Sequence, residues 1–185
     1  SRFLANIMEQ NARQKQLIDK LLALIKVEKQ QSLVAAQSIE LNELLDQVAL
    51  DYAEKIQAKQ IQLTLDTTPL TIQGDQLLLR QALGNLLDNA IAFSPASSAI
   101  HIEINQHVEN ATVEIKISDH GAGIPDYAID KIFERFYSLA RPDAAKSTGL
   151  GLPFVREVAA LHGGEIHLEN KSLGGVCACF RLPLG

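Results

Sequence analysis

Apolar side chains recur at helical spacing through residues 1–30, which contain neither Pro nor Gly. Leu4, Ile7, Ile18, Leu21 and Ile25 follow the three-and-four rhythm of one helix face, interrupted at Asn11 and Gln14. Leu17, Ile18, Leu21, Leu22, Leu24, Ile25 and Val27 cover more of the circumference than a single seam. Such a helix needs partners on more than one side, which favours a bundle or dimer element over a helix packed only on its own domain. Beyond Gln30 the texture changes. Asn42 is expected to cap a helix over 43–58 with Leu44, Leu45, Val48, Tyr52 and Ile56 on its apolar face. Short strands are predicted at 62–66 and 70–73, separated by a Thr67-Thr68-Pro69 turn. A second strong helix covers 75–93 and stops at Ser94-Pro95.

Alternating patterns then mark strands at 100–106 and 112–119. A glycine turn, a short helix over 126–133 and an irregular stretch from 137 to 148 follow. The chain ends with a helix over 151–162 closed by Gly163-Gly164, and strands at 165–170 and 176–182. Helices and strands mix without βαβ regularity. The predicted class is therefore α/β, a sandwich with helices on one face of a mixed, mostly antiparallel sheet, preceded by the long N-terminal helix.

Composition narrows the function. Across 185 residues, 46% are hydrophobic and 21% charged, which excludes wholesale disorder. The net charge is −5 and no basic run occurs, so binding to nucleic acid through phosphate neutralisation is not expected. Cys177 and Cys179 lie one residue apart and offer no disulfide framework, which fits a reducing cytoplasm. They are expected to be small core residues rather than metal ligands, for want of further ligands. No apolar stretch approaches the ~20 residues needed to cross a bilayer, and no signal peptide opens the chain. The expectation is a soluble intracellular piece of something longer, since the chain opens inside a predicted helix without an initiator Met.

Four local patterns carry candidate chemistry. In Gly84-Asn85-Leu86-Leu87-Asp88-Asn89-Ala90, the two Asn lie four apart on one helix face beside a buried stripe. Mid-helix Asn costs roughly 0.5 kcal/mol against Ala, so a pair calls for a reason. An amide oxygen is a hard ligand suited to Mg²⁺, and solvated surface amides are the alternative. In Asp119-His120-Gly121-Ala122-Gly123, period two places Asp119 on the face of Val113, Ile115 and Ile117. There it needs a donor such as an adenine amino group, or its own turn backbone. Ser147-Thr148-Gly149-Leu150-Gly151-Leu152-Pro153 puts glycines just before a helix start, whose free N–H groups suit phosphate. No Gly-Lys-Ser/Thr follows, so this is no Walker A loop. Ile132-Phe133-Glu134-Arg135-Phe136-Tyr137 precedes a stretch with little to bury, of the kind that forms lids, with Phe133 and Phe136 as its anchors.

In this order and spacing the four patterns resemble the N, G1, F and G2 boxes of histidine-kinase ATP-binding domains, which share the Bergerat fold with gyrase, Hsp90 and MutL. Segments 84–91 and 132–139 are similar to sensor kinases of the CreC type. The resemblance assigns 33–185 to the ATP-binding catalytic domain and 1–32 to the second helix of a dimerisation and phosphotransfer hairpin. It implies ATP and Mg²⁺ as cofactors, with Asn89 on Mg²⁺ and Asn85 beside the phosphates. Asp119 would take the adenine amino group, with Gly121 and Gly123 beside the base. Gly149 and Gly151 would present backbone to the phosphates while residues 137–148, from Tyr137, close over the nucleotide, and Ile124, Thr148, Leu150 and Leu152 are further implied ATP-binding residues. Ala92, Ser138 and Ser147 depart from the common Lys or Arg, Arg and Gly, which leaves phosphate charge to Arg141 or Lys146.

The implied partners are a response regulator and a second copy paired through residues 1–30, in the cytoplasmic part of an inner-membrane sensor. None of His101, His107, His120, His162 and His167 stands in a phosphoacceptor context, so the acceptor helix is expected to precede Ser1. His162 reads as a helix C-terminal residue favoured by the dipole. Two other readings remain. A gyrase-type ATPase would need a carboxylate where Asn85 stands, and a nucleotide-responsive module without catalysis is allowed by Ala92 and Ser138.

Overall fold

A computed structural model describes residues 2–142 and 147–185. Helix α1 (Arg2–Lys29) forms as the pattern predicts. Phe3, Leu4, Ile7 and Met8 in its first half are exposed, whereas Leu24 and Val27 are buried. That buried end lies against α5 (Gly151–Leu161), and Glu28 pairs with Arg135. No helix among the described residues is long and apolar enough to cross a membrane.

The Asn42 cap is not observed. Helix α2 (Leu41–Asp51) begins one residue before Asn42, because the Leu41 N–H already finds a carbonyl, that of Leu70 at 2.8 Å. Asn42 sits inside the helix, its buried Oδ1 without a hydrogen-bond partner among the described residues. The expected single helix also breaks at Tyr52, and α3 (Ala53–Ala58) follows. A strand that periodicity did not reveal, β1 (Gln37–Glu40), pairs antiparallel with β3 (Thr71–Gly74) and stacks Ile39 opposite Ile72. Four residues are too few to establish a period.

Strands β2 (Gln62–Asp66), β4 (Ala99–His107), β5 (Thr112–Ser118), β6 (Glu165–Asn170) and β7 (Val176–Pro183) form the main sheet. Their order is β2-β4-β5-β7-β6, with only β2 and β4 parallel. The turn at 67–69 therefore closes no hairpin; it carries the chain from one sheet to the other. Ile100, Ile102, Val113, Ile115, Phe180 and Leu182 point inward and join one core with α4 (Gln76–Phe93) and α5. Asp75 caps α4 by accepting the Leu78 N–H at 3.1 Å. Lys59 donates to the carbonyls of Ile91 and Ala92 at its other end.

Two readings need correction. Cys177 and Cys179 are buried, yet they belong to the outer sheet face and not to the core, since period two reserves the inner face for Ala178 and Phe180. Their sulfurs are 3.5 Å apart, and with Glu169 they bring three donor atoms within 4.8 Å of one another. Burial, with Cys177 and nearby carboxylates, pushes the Cys179 thiol up to about 12, so it stays protonated at neutral pH. The helix expected over 126–133 is a single 3-10 turn, Asp126–Ala128. Ile124, Ala128 and Ile132 draw the chain into a small second cluster instead of a regular helix.

His162 does not act as a charged helix-end residue. Its Nδ1 lies 2.7 Å from the Val158 carbonyl, and its Nε2 accepts the Asp75 N–H at 3.0 Å. That pattern fits the neutral ring, with Nδ1–H donating and Nε2 accepting. Burial holds the His162 pKa below its ordinary value of 6.5. The ring thereby joins the end of α5 to the start of α4. Because its folded pKa is depressed, the unfolded chain binds the proton first, and stability declines as pH falls below about 6.5. Denaturant titrations at pH 8 and pH 5.5 should show this loss, and His162→Gln should reduce the difference while costing roughly 1–3 kcal/mol at pH 8.

Candidate functional site

Helix α4 has two uses because its buried stripe does not cover its whole surface. Leu79, Leu83, Leu87 and Ala90 are buried. Asn85, Asp88 and Asn89 are half-buried at the edge of that stripe and face a cavity. Asn85 Nδ2 lies 3.4 Å from the Gly151 carbonyl, at the first turn of α5.

Asp119 follows the last residue of β5 and is only 5% exposed. Its N–H donates to Val176 O at 2.9 Å, and its Oδ1 accepts from Gly121 N at 2.8 Å and Val176 N at 3.1 Å. Lys171 Nζ donates to its main-chain carbonyl at 2.8 Å. Burial raises the carboxyl pKa, opposed by those two backbone N–H groups and the nearby Lys171 charge. No donor to Oδ2 occurs among the described residues, while the side chain borders the cavity. Gly175, at φ +89°, permits this arrangement, because an added Cβ would lie 2.1 Å from the Asp119 carbonyl oxygen. The loop after Asp119 is fixed from β6: Asn170 Oδ1 accepts the Ile124 N–H at 2.7 Å, and Asn170 Nδ2 donates to Ile124 O at 2.8 Å.

The segment between Phe136 and Gly149 is closed by main chain. Phe136 N donates to Gly149 O at 2.9 Å. Gly149 has φ +69°, and a Cβ there would fall 2.5 Å from the Phe136 backbone. The expected aromatic anchoring holds for only one ring. Phe133 is partly buried, with the Arg156 guanidinium 5.7 Å above it, whereas the Phe136 side chain is 59% exposed and anchors through its backbone. At the start of α5, Leu150 supplies no side-chain cap, and Pro153 has no N–H to satisfy. Among the described residues no side chain caps the first amides of that helix.

The structure brings eleven of the sequence-derived candidates to one cavity. Asn85 and Asn89 come from α4, and Asp119, Gly123 and Ile124 from the loop after β5. Tyr137 and Arg141 come from the following segment, and Thr148, Gly149, Gly151 and Leu152 from the approach to α5. Gly121 does not line the cavity; its N–H positions Asp119. Leu150 does not line it either, because its side chain is 1% exposed and joins the core. Lys146 lies outside the described residues. His120 borders no part of the cavity, and its Nδ1 lies 2.8 Å from Ala99 O.

Sequence reasoning missed Asn170, Lys171 and Val176, which hold the Asp119 loop from strands far along the chain. Their only signal is the Gly174-Gly175 turn that lets β7 approach. It also missed Lys20, which reaches the cavity from α1.

A family model for "Histidine kinase-, DNA gyrase B-, and HSP90-like ATPase" matches residues 74–185. The sensor protein CreC of Escherichia coli K12 is 43% identical over 182 residues, 98% of this chain but 38% of CreC. This chain thus spans less than half the length of that relative. The nucleotide-free catalytic domain of histidine kinase ThkA superposes with a TM-score of 0.72 at 30% identity, covering 81% of this chain and 98% of that one. Histidine kinase ThkA in complex with response regulator TrrA gives a TM-score of 0.79 at 26% identity, covering all of this chain and 51% of that one. The cavity residues of α4, the Asp119 loop and the start of α5 all lie inside the matched region. The chain belongs to the histidine kinase-, DNA gyrase B- and HSP90-like ATPase family.

Proposed function

We propose that this chain is the ATP-binding catalytic portion of a two-component sensor histidine kinase. In this reading residues 33–185 form the catalytic domain and 1–32 the second helix of the dimerisation hairpin. The observation that carries the proposal is Asp119. One carboxylate oxygen is spent on two backbone N–H groups, and the other is left beside an apolar wall that includes Ile117, Leu168 and Ala178. A purine amino group fits that acceptor, and the wall fits a flat ring.

Asn85 and Asn89 then face the phosphates. Asn89 offers Mg²⁺ a neutral hard oxygen and leaves its other positions to water and phosphate, as that ion requires. When bound, Mg²⁺ neutralises charge on the transferring phosphoryl group. The uncapped start of α5 offers N–H groups to the same anion, and Tyr137, Arg141 and Thr148 border the same cavity. The γ-phosphoryl would pass to a histidine on a preceding helix and on to an aspartate of a response regulator, a partner class that ThkA engages. A membrane anchor outside this region is part of the same proposal. A gyrase-type ATPase is disfavoured, because Asn85 cannot take a proton from water.

Asp119→Asn should weaken ATP binding at least tenfold, since a charge-assisted hydrogen bond contributes about 1.5–3 kcal/mol. Calorimetric titration with Mg-ATP measures this, beside a thermal melt to confirm folding. Unchanged affinity would exclude the adenine role.

No self-phosphorylation is expected. His162 is buried, and His101 and His167 occupy outward positions of β4 and β6, away from the cavity. Incubation with γ-labelled ATP should leave the chain unlabelled, while a His-bearing, kinase-dead relative in the same tube gains acid-labile label. Self-labelling would overturn the assignment of the acceptor to another helix.

Pairing through residues 1–30 follows from the exposed Phe3, Leu4, Ile7, Met8 and Leu22. Sedimentation over a concentration series should show a reversible dimer that Ile7→Lys abolishes. A monomer at every concentration would refute it.

A further inference from the structure

The sequence leaves a charge deficit. The resemblance implies cations at two positions that here hold Ala92 and Ser138. Ala92 is 7% exposed at the end of α4 and has no reach, and Ser138 lines the cavity with a neutral hydroxyl. A nucleotide triphosphate nevertheless needs positive charge beside it.

The structure assembles that charge around Asp88. Lys55 Nζ of α3 is 2.5 Å from Asp88 Oδ1, and Arg141 Nη2 is 3.7 Å from Asp88 Oδ2. Lys20 of α1 is the third cation in the group, half-buried and lining the cavity beside Asn85, Asn89 and Arg141. It makes no ion pair within 4.0 Å among the described residues. Arg141 Nε is buried, again without a hydrogen-bond partner among them. Burial and the neighbouring Arg141 and Lys55 charges lower the Lys20 pKa, while Asp88 opposes them. Lys55 and Arg141 thus share the Asp88 carboxylate, Lys55 from outside the cavity and Arg141 from its lining, while Lys20 lines the same cavity unpaired among the described residues. With Asp88 divided between Lys55 and Arg141, the Lys20 ammonium and the buried Arg141 Nε are the donors beside the cavity without an acceptor among the described residues, and an anion there would supply one. The adjacent amides and the start of α5 suit a phosphate as that anion.

We propose that Lys20, from the N-terminal helix, forms with Arg141 a cationic subsite for the nucleotide's polyphosphate, so that a bound triphosphate ties α1 to the ATP-binding domain. This rests on the nucleotide reading above and extends it. Asn85, Asn89 and Arg141 belong to the domain, but Lys20 does not. The subsite is therefore complete only while α1 lies against α5 as it does here. By linkage, a nucleotide that prefers the docked arrangement also stabilises it. Triphosphate should do so more than nucleoside, giving the helix pair a direct report of nucleotide state.

The test compares calorimetric titrations of Mg-ATP and of adenosine against the whole chain, its Lys20→Met and Lys20→Arg forms, and Asp119→Asn. Lys20→Met should raise the ATP Kd about tenfold, the effect of losing one charge-assisted contact, and leave adenosine binding unchanged. Lys20→Arg keeps the charge and should restore most of the ATP affinity. Asp119→Asn should weaken both ligands. If Lys20→Met binds ATP as the parent does while Asp119→Asn fails, the subsite is refuted and the nucleotide reading stands. Equal loss of ATP and adenosine in Lys20→Met would show a merely structural lysine and also refutes the subsite. If the parent binds neither ligand, the nucleotide reading itself falls.

Discussion

A carboxylate buried at the end of an apolar row is the constraint on which the rest of the site depends. Asp119 continues the inward face of β5 beyond Ile117, where an unpaired charge would cost several kcal/mol. Two backbone N–H groups prevent that cost, one from Gly121 and one from Val176. Val176 reaches Asp119 because β7 runs antiparallel beside β5 and because Gly175 has no side chain to hold the strands apart. The last strand of the domain therefore organises a residue 57 positions earlier in the chain. Asn170, opposite Val176 in the β6–β7 ladder, clamps the Ile124 peptide from both sides. Closing the sheet and building the cavity are one event.

The helix layer meets this from the other side. Helix α4 spends its apolar stripe on the core, and its polar edge becomes a cavity wall. The placement of α5 depends on neutral His162, which takes the Asp75 N–H and so links the end of one helix to the cap of the other. The segment between the two helices' cavity faces is pinned at a backbone pair, Phe136 to Gly149. Tyr137 and Leu139 pack against the Ile124, Ala128 and Ile132 cluster beside it. Lys55 and Arg141 both pair with Asp88 at the edge of α4, and Lys20 lines the cavity beside them.

Much of the architecture was legible from local pattern. The long α1, the α4 stripe with its paired amides and the alternating β4 and β5 are strong periodic signals with clear stops. The errors fall where tertiary contacts replaced local ones. Asn42 lost its capping role because the Leu70 carbonyl reached the helix first. The helix over 126–133 gave way to a turn because Ile124, Ala128 and Ile132 had a cluster of their own to fill. The two cysteines alternated correctly, but the pattern cannot say which face of a strand meets the core.

The sequence by itself determined most element types, the mixed α/β class and the residues of the four patterns, because these follow from spacing within a few residues. Only the tertiary structure decided that Lys20 of α1 lines the same cavity, and that Gly121 and Leu150 support the site without lining it. It alone decided that His162 is a neutral bridge and that Asn170, Lys171 and Val176 hold the Asp119 loop. These contacts join residues tens of positions apart. Their partners are set by strand order and helix docking, which local periodicity does not encode.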